Sequence, residues 1–138
     1  MTENTNEIYN DIASYKWNIE EKDDTIRELN RKIEDLTEDY NYLRKVRQEK
    51  SDYINKKIVD CSELISNIRG RGIIGMLCNV RDSYNKLSEI DDAYTEQLEI
   101  IEENINYYQN EVRKEKNEIL QLEYKIENCY REIEESKG

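Results

Sequence analysis

The chain is predicted to be all-α, a long antiparallel two-helix hairpin of the coiled-coil type, on three observations. Apolar residues recur at alternating three- and four-residue steps along almost all of its 138 residues; proline is absent; and the four glycines stand at positions 70, 72, 75 and 138. The alternation is the heptad signature of helices that pack along one seam. Without proline nothing must interrupt a long helix, and glycine gathered near the midpoint marks one turn. The whole chain, 1–138, therefore reads as a single helical-hairpin domain.

The first helix is expected over about 6–68. Its seam runs Ile8, Ile12, Tyr15, Ile19, Lys22, Ile26, Leu29, Ile33, Leu36, Tyr40 and Leu43. Arg47 and Lys50 then take seam positions, followed by Ile54, Ile58, Cys61, Ile65 and Ile68. Consecutive four-residue steps from Lys50 to Ile58 form a stutter, which locally unwinds a supercoil. Asn4, with Glu7 three residues later, has the form of an N-terminal capping box.

The turn is placed at Arg69, Gly70, Arg71 and Gly72, where glycine supplies the unusual backbone angles and the arginines keep the loop solvated. The second helix is expected over about 73–135 without interruption. Its seam is Ile73, Leu77, Val80, Tyr84, Leu87, Asp91, Tyr94, Leu98, Ile101, Ile105, Tyr108, Val112, Glu115, Ile119, Leu122, Ile126, Cys129 and Ile133. Each arm would be about 90 Å long at 1.5 Å per residue.

A short loop forces the arms to run antiparallel, which brings the charged interruptions of the two seams together. Arg47 and Lys50 fall near Asp91 and Thr95, and Glu115 falls near Arg27. Residues 44–81 carry nine basic and four acidic side chains, whereas 82–97 carry five acidic and one basic. Each arm thus offsets the other near the turn.

Composition excludes several functions. There is no histidine, so no imidazole catalyst and no HExxH zinc site. A net charge of −11 opposes nucleic acid as a partner and adsorption to anionic membranes. Three cysteines without a CxxC motif read as reduced structural thiols. No stretch approaches the 18 or so apolar residues of a membrane helix, and the polar start shows no signal peptide, so a cytoplasmic protein is expected, or one exported with a partner without a cleavable signal.

The acidic pairs Asp23-Asp24, Asp91-Asp92 and Glu102-Glu103 lack the ligand spacing of a calcium loop. Neighbouring side chains on a helix diverge by roughly 100°, so no metal or cofactor is expected. Nothing forms a catalytic constellation, and the chain is read as a non-enzyme. Five tyrosines (Tyr15, Tyr40, Tyr84, Tyr94 and Tyr108) belong to the seam. Trp17, Tyr42, Ile100, Tyr107, Leu120 and Tyr124 lie off it, and these are the candidate partner contacts. Trp17 and Tyr124 are level with each other but point outward from opposite arms, which calls for several helices packing around the pair.

A long charged first helix, a central glycine turn and a second helix of Tyr- and Ile-rich heptads resemble the YwqH-like proteins. These belong to the WXG100-like helical hairpins of type VII secretion in Gram-positive bacteria. That family carries Trp-x-Gly in the turn; the matching place here is Ile68-Arg69-Gly70, which keeps the glycine and not the tryptophan. Tyr107–Glu111 and Tyr130–Glu134 fit the related Tyr-x-x-x-Asp/Glu signal, but so many matches arise by chance from 11 tyrosines and 32 acidic residues. The resemblance implies a chaperone or targeting partner that binds the helical N-terminal domain of an LXG toxin, or other small helical hairpins. The alternative is a structural or adaptor coiled coil acting by self-association, for which a homodimer is the simplest form. A prefoldin-like chaperone would need β-hairpins that residues 69–76 are too few to build.

Overall fold

The computed structural model describes residues 3–68, 70–87 and 89–137. The fold is all-α, an antiparallel helical hairpin. Helix α1 spans Glu3–Asn67, α2 Arg71–Leu87 and α3 Ile90–Lys137, and no strand occurs among the described residues. The helices form two compact units: Met1–Asp35 with Ile105–Gly138, and Leu36–Asn104.

In the first unit, the start of α1 packs against the end of α3. Ile8, Ile12 and Ile133 form a buried cluster flanked by Ile126 and Cys129, and Ile26 and Val112 are buried further along. The order of contacts is that of antiparallel arms. The Lys16 ammonium donates to the Tyr130 hydroxyl at 3.3 Å, Lys125 sits over the Tyr15 ring, and Lys32 sits over the Tyr108 ring. All of these residues but Lys16, Lys32, Lys125 and Tyr130 are seam positions. The apolar stripe therefore faces inward as its spacing requires.

In the second unit the remainder of α1 packs with α2 and the start of α3. Cys61 and Leu98 are its buried side chains. Here the structure departs from the sequence reading. The expected uninterrupted second helix is broken between α2 and α3. The Glu89 N–H donates to the Lys86 carbonyl and the Asp92 N–H to the Glu89 carbonyl, both at 3.1 Å. These three-residue bonds tighten the chain as at a helix end. A seam of three- and four-residue steps runs through such a turn unchanged, so the break leaves no mark in the pattern.

The turn is also shorter than expected. Arg71 and Gly72 are the first residues of α2, Gly70 lies in the connection, and Arg69 lies outside the described residues. No described glycine has a positive φ. The Gly70 carbonyl instead accepts the first helical bond of α2, from the Ile74 N–H at 3.0 Å, so Gly70 stands at the cap. Asn4 is likewise no cap, since α1 already includes it.

Finally, α2 is turned relative to the predicted seam. Ile74, Leu77, Cys78, Arg81 and Tyr84 are half-buried, whereas Ile73, Val80 and Leu87 are exposed. A straight helix drifts by about 20° per heptad, and the break at α3 releases α2 from the register of the long helix. Lys50 is exposed as well, so the seam on α1 passes it by at the stutter.

Candidate docking surfaces

Two polar interruptions of the seam are satisfied across the arms. In the second unit Arg47 and Asp91 form a two-pronged ion pair. The Arg47 Nε donates to Asp91 Oδ1 at 2.6 Å and its Nη2 to Oδ2 at 2.8 Å. This geometry fixes orientation as well as charge. The hydrogen bond from Arg47 holds the Asp91 carboxyl below its ordinary pKa, and the same bond raises the guanidinium. Arg47 meets the partner expected of it.

In the first unit Lys22 donates to Glu118 and to Glu115, the latter at 3.3 Å. Glu115 was expected near Arg27. Arg27 is instead an exposed residue paired with Asp24 on its own helix. The reason is position on the helix: Lys22 stands in the seam, and Arg27 follows the buried Ile26 and points away. Lys22 is raised above its ordinary pKa by its bonds to Glu118 and then Glu115, and Glu118 is lowered by the bond from Lys22. Both pairs are partly wet, so they set register more than they add stability.

Outside the seam, the six candidate contact residues are all exposed: Trp17 at 58%, Tyr124 at 61% and Leu120 at 62%, with Tyr42, Ile100 and Tyr107 similarly open. Leu120 and Tyr124 are four residues apart and share one flank of α3. Tyr107 also stands edge-on to the seam residue Tyr108, with ring centroids 5.5 Å apart.

The sequence reading missed a further exposed set in the second unit. Ile73, Met76, Val80, Leu87 and Ile90 are exposed along α2 and the start of α3. Their three- and four-residue spacing was available, but three of them had been assigned to the intramolecular seam. Beside Leu87 and Ile90 lies a cavity of about 410 Å³, walled by Ile54, Tyr84 and Tyr94 and edged by Arg47, Lys50 and Asp91. Lys50, expected in the polar seam, is thus at the rim of this cavity.

The thiols are not arranged for chemistry. Cys61 is buried and Cys78 and Cys129 are half-buried, all three free. Burial, then Glu132 and Asp11, pushes the Cys129 thiol up and disfavours the reactive thiolate. Among the described residues no group of three His, Cys, Asp or Glu side chains is placed to hold a metal ion. No helix among them is long and apolar enough to cross a membrane.

Comparison with known proteins returns keratin and intermediate filament proteins. The sequence is 27% identical to keratin, type II cytoskeletal 8, of Danio rerio over 96% of this chain and 27% of that protein. It is 26% identical to intermediate filament protein ON3 of Carassius auratus, over 96% of the chain and 27% of that protein. The type II cytoskeletal 8 keratin of Protopterus aethiopicus is 26% identical over 94% and 27%. The chain spans about a quarter of the length of the curated relatives it matches. No family model matches it, and no solved structure matches it. Likeness to such chains at this identity agrees with the coiled-coil helices already described.

Proposed function

We propose that the protein is a non-enzymatic coiled-coil protein that works by docking its helical flanks against further helices, with assembly among coiled-coil chains as the favoured mode. One observation carries this reading. The seam is a single stripe, and only seven hydrophobic side chains are buried among the described residues, while Trp17, Tyr107, Leu120 and Tyr124 stand in water. Two arms cover one stripe of each other and leave both flanks open. Additional helices laid along those flanks, at the +20° or so of bundle packing, would bury what the hairpin cannot. The relatives whose printed names are keratin and intermediate filament protein support assembly of this kind.

The resemblance to type VII secretion hairpins offers a second occupant for the same flanks: the helical N-terminal domain of an LXG toxin, for which the chain would act as chaperone or targeting partner. Its support is the residue type, since exposed tryptophan and tyrosine are the side chains that most often anchor an interface. In this reading the chain works in the cytoplasm or leaves with its partner.

Trp17→Ala and Tyr124→Ala, alone and combined, test the proposal by sedimentation velocity, with the chain by itself and mixed with the helical N-terminal domain of an LXG toxin. Burying one large aromatic contributes roughly 1.5–3 kcal/mol, so each variant is expected to weaken association about tenfold or more. Helicity by circular dichroism stays unchanged, because both residues lie outside the seam. Association by wild type and variants that is equal in every mixture would overturn the proposal.

A further inference from the structure

The exposed stripe on α2 and the first turns of α3 is matched to itself. It runs Ile73, Met76, Val80, Ser83, Leu87, Ile90, Ala93, Gln97 and Ile100, and every one of these residues is exposed. Leu87 stands near its middle, with Ile73 and Ile100 almost equally far along the chain on either side. The three- and four-residue steps therefore read nearly the same outward in both directions, which antiparallel pairing with an identical stripe requires.

Charge has the opposite symmetry. From 71 to 86 the chain carries Arg71, Arg81 and Lys86 against Asp82. From 87 to 104 it carries seven acidic residues and no basic one, among them Glu89, Asp92, Glu96 and Glu99. One side of Leu87 is basic and the other acidic. Two copies laid parallel would set like charge on like, whereas antiparallel copies set the basic half of each against the acidic half of the other.

We infer that the α2–α3 stripe is an isologous dimer interface, in which a second copy of this chain packs antiparallel with the two-fold axis passing at Leu87. The inference rests on the helix-docking reading above and names one partner for it. The cavity of about 410 Å³ beside Leu87 and Ile90 lies at that axis. Its apolar wall of Ile54, Tyr84 and Tyr94 receives large side chains from the facing copy, and two hairpins joined in this way form a four-helix bundle at the contact.

Single cysteines placed in the full chain, with Cys61, Cys78 and Cys129 replaced by alanine, test the geometry. Leu87→Cys is expected to form an inter-chain disulfide with itself under mild oxidation. Ile73→Cys is expected to remain uncrosslinked alone and to crosslink when mixed with Ile100→Cys. Met76→Glu, at a side chain 69% exposed in the single copy, should raise the dimer dissociation constant about tenfold or more in light scattering, with helicity unchanged. If alanine replacement disturbs the buried Cys61 site, the Met76→Glu measurement in the native chain decides. Self-crosslinking of Ile73→Cys would mean parallel copies and overturns the inference. A monomer at all concentrations, or a dimer indifferent to Met76→Glu, also overturns it. A monomer that still binds a helical partner through Trp17 and Tyr124 leaves the broader docking proposal standing.

Discussion

Alanine at Gly72 and Gly75 should stabilise the protein, although both positions border the turn. For Gly72, expected in the turn, the sequence alone argues the reverse, since a glycine that supplies a left-handed angle loses stability when given a side chain. In the structure both residues are inside α2, and neither has a positive φ. A Cβ built on either one meets nothing within 4 Å. The substitution therefore carries no strain and no clash, and two terms remain. Alanine is favoured over glycine in a helix interior by about 0.8–1.0 kcal/mol, and Gly72, so close to the N-terminus, gains less than this. Together the two changes should add about 1–1.5 kcal/mol. For a chain of this size that corresponds to a rise in Tm of roughly 3–6 °C. Urea unfolding followed by circular dichroism at 222 nm or so measures it, with an unchanged m-value as the sign that only stability moved. A fall in stability for either single variant would refute its assignment to a strain-free helical position, and for Gly72 it would restore the turn expected from the sequence.

Two further outcomes follow from the first unit. Ile12, 4% exposed within the cluster with Ile8 and Ile133, is expected to cost about 2–3 kcal/mol on replacement by alanine, a loss of roughly 10 °C in Tm by thermal circular dichroism. The Glu118 pKa is lowered by Lys22, so its contribution is present above the ordinary glutamate pKa, about 4.3, and is lost as pH falls through the lowered value. The stability of wild type should accordingly exceed that of Glu118→Gln at pH 7, and the difference should shrink as the pH falls through the lowered value; a difference that persists in strong acid would show that the ion pair is not its source.

The first unit was legible in the sequence because one answer satisfied every constraint. Ile8, Ile12, Ile26, Val112 and Ile133 could face only inward without stranding five large aliphatics in water, and all five are buried. Asp91 found a basic partner for the same kind of reason, since Arg47 and Lys50 both stood at seam positions within its reach; the structure selects Arg47. The second unit offered choices that spacing does not decide. Ile73 and Ile74 are adjacent, and stripes begun from either one are equally helical. The rule of three- and four-residue steps also passes through the Lys86–Glu89–Asp92 turn without noticing it, since a three-residue hydrogen bond preserves a three-residue step. Lys22 carried the remaining error: the fold axis assumed at the glycines set Glu115 a few residues too far along, opposite Arg27.

The outward residues pose a different problem, because a heptad pattern reports only what packs within the chain. Once α2 turns Ile74, Leu77 and Tyr84 toward α1, Ile73, Val80 and Leu87 must face elsewhere on so narrow a helix. A second apolar stripe is then left over with no arm of the same chain to cover it. Among the described residues no further element lies over it, as a bundle of four would supply. The same residues that made the sequence look like one continuous seam therefore become, in the folded protein, the strongest physical argument for a partner. Their exposure sets the cost of remaining single, and the reversal of charge at Leu87 sets the direction in which a second copy can lie.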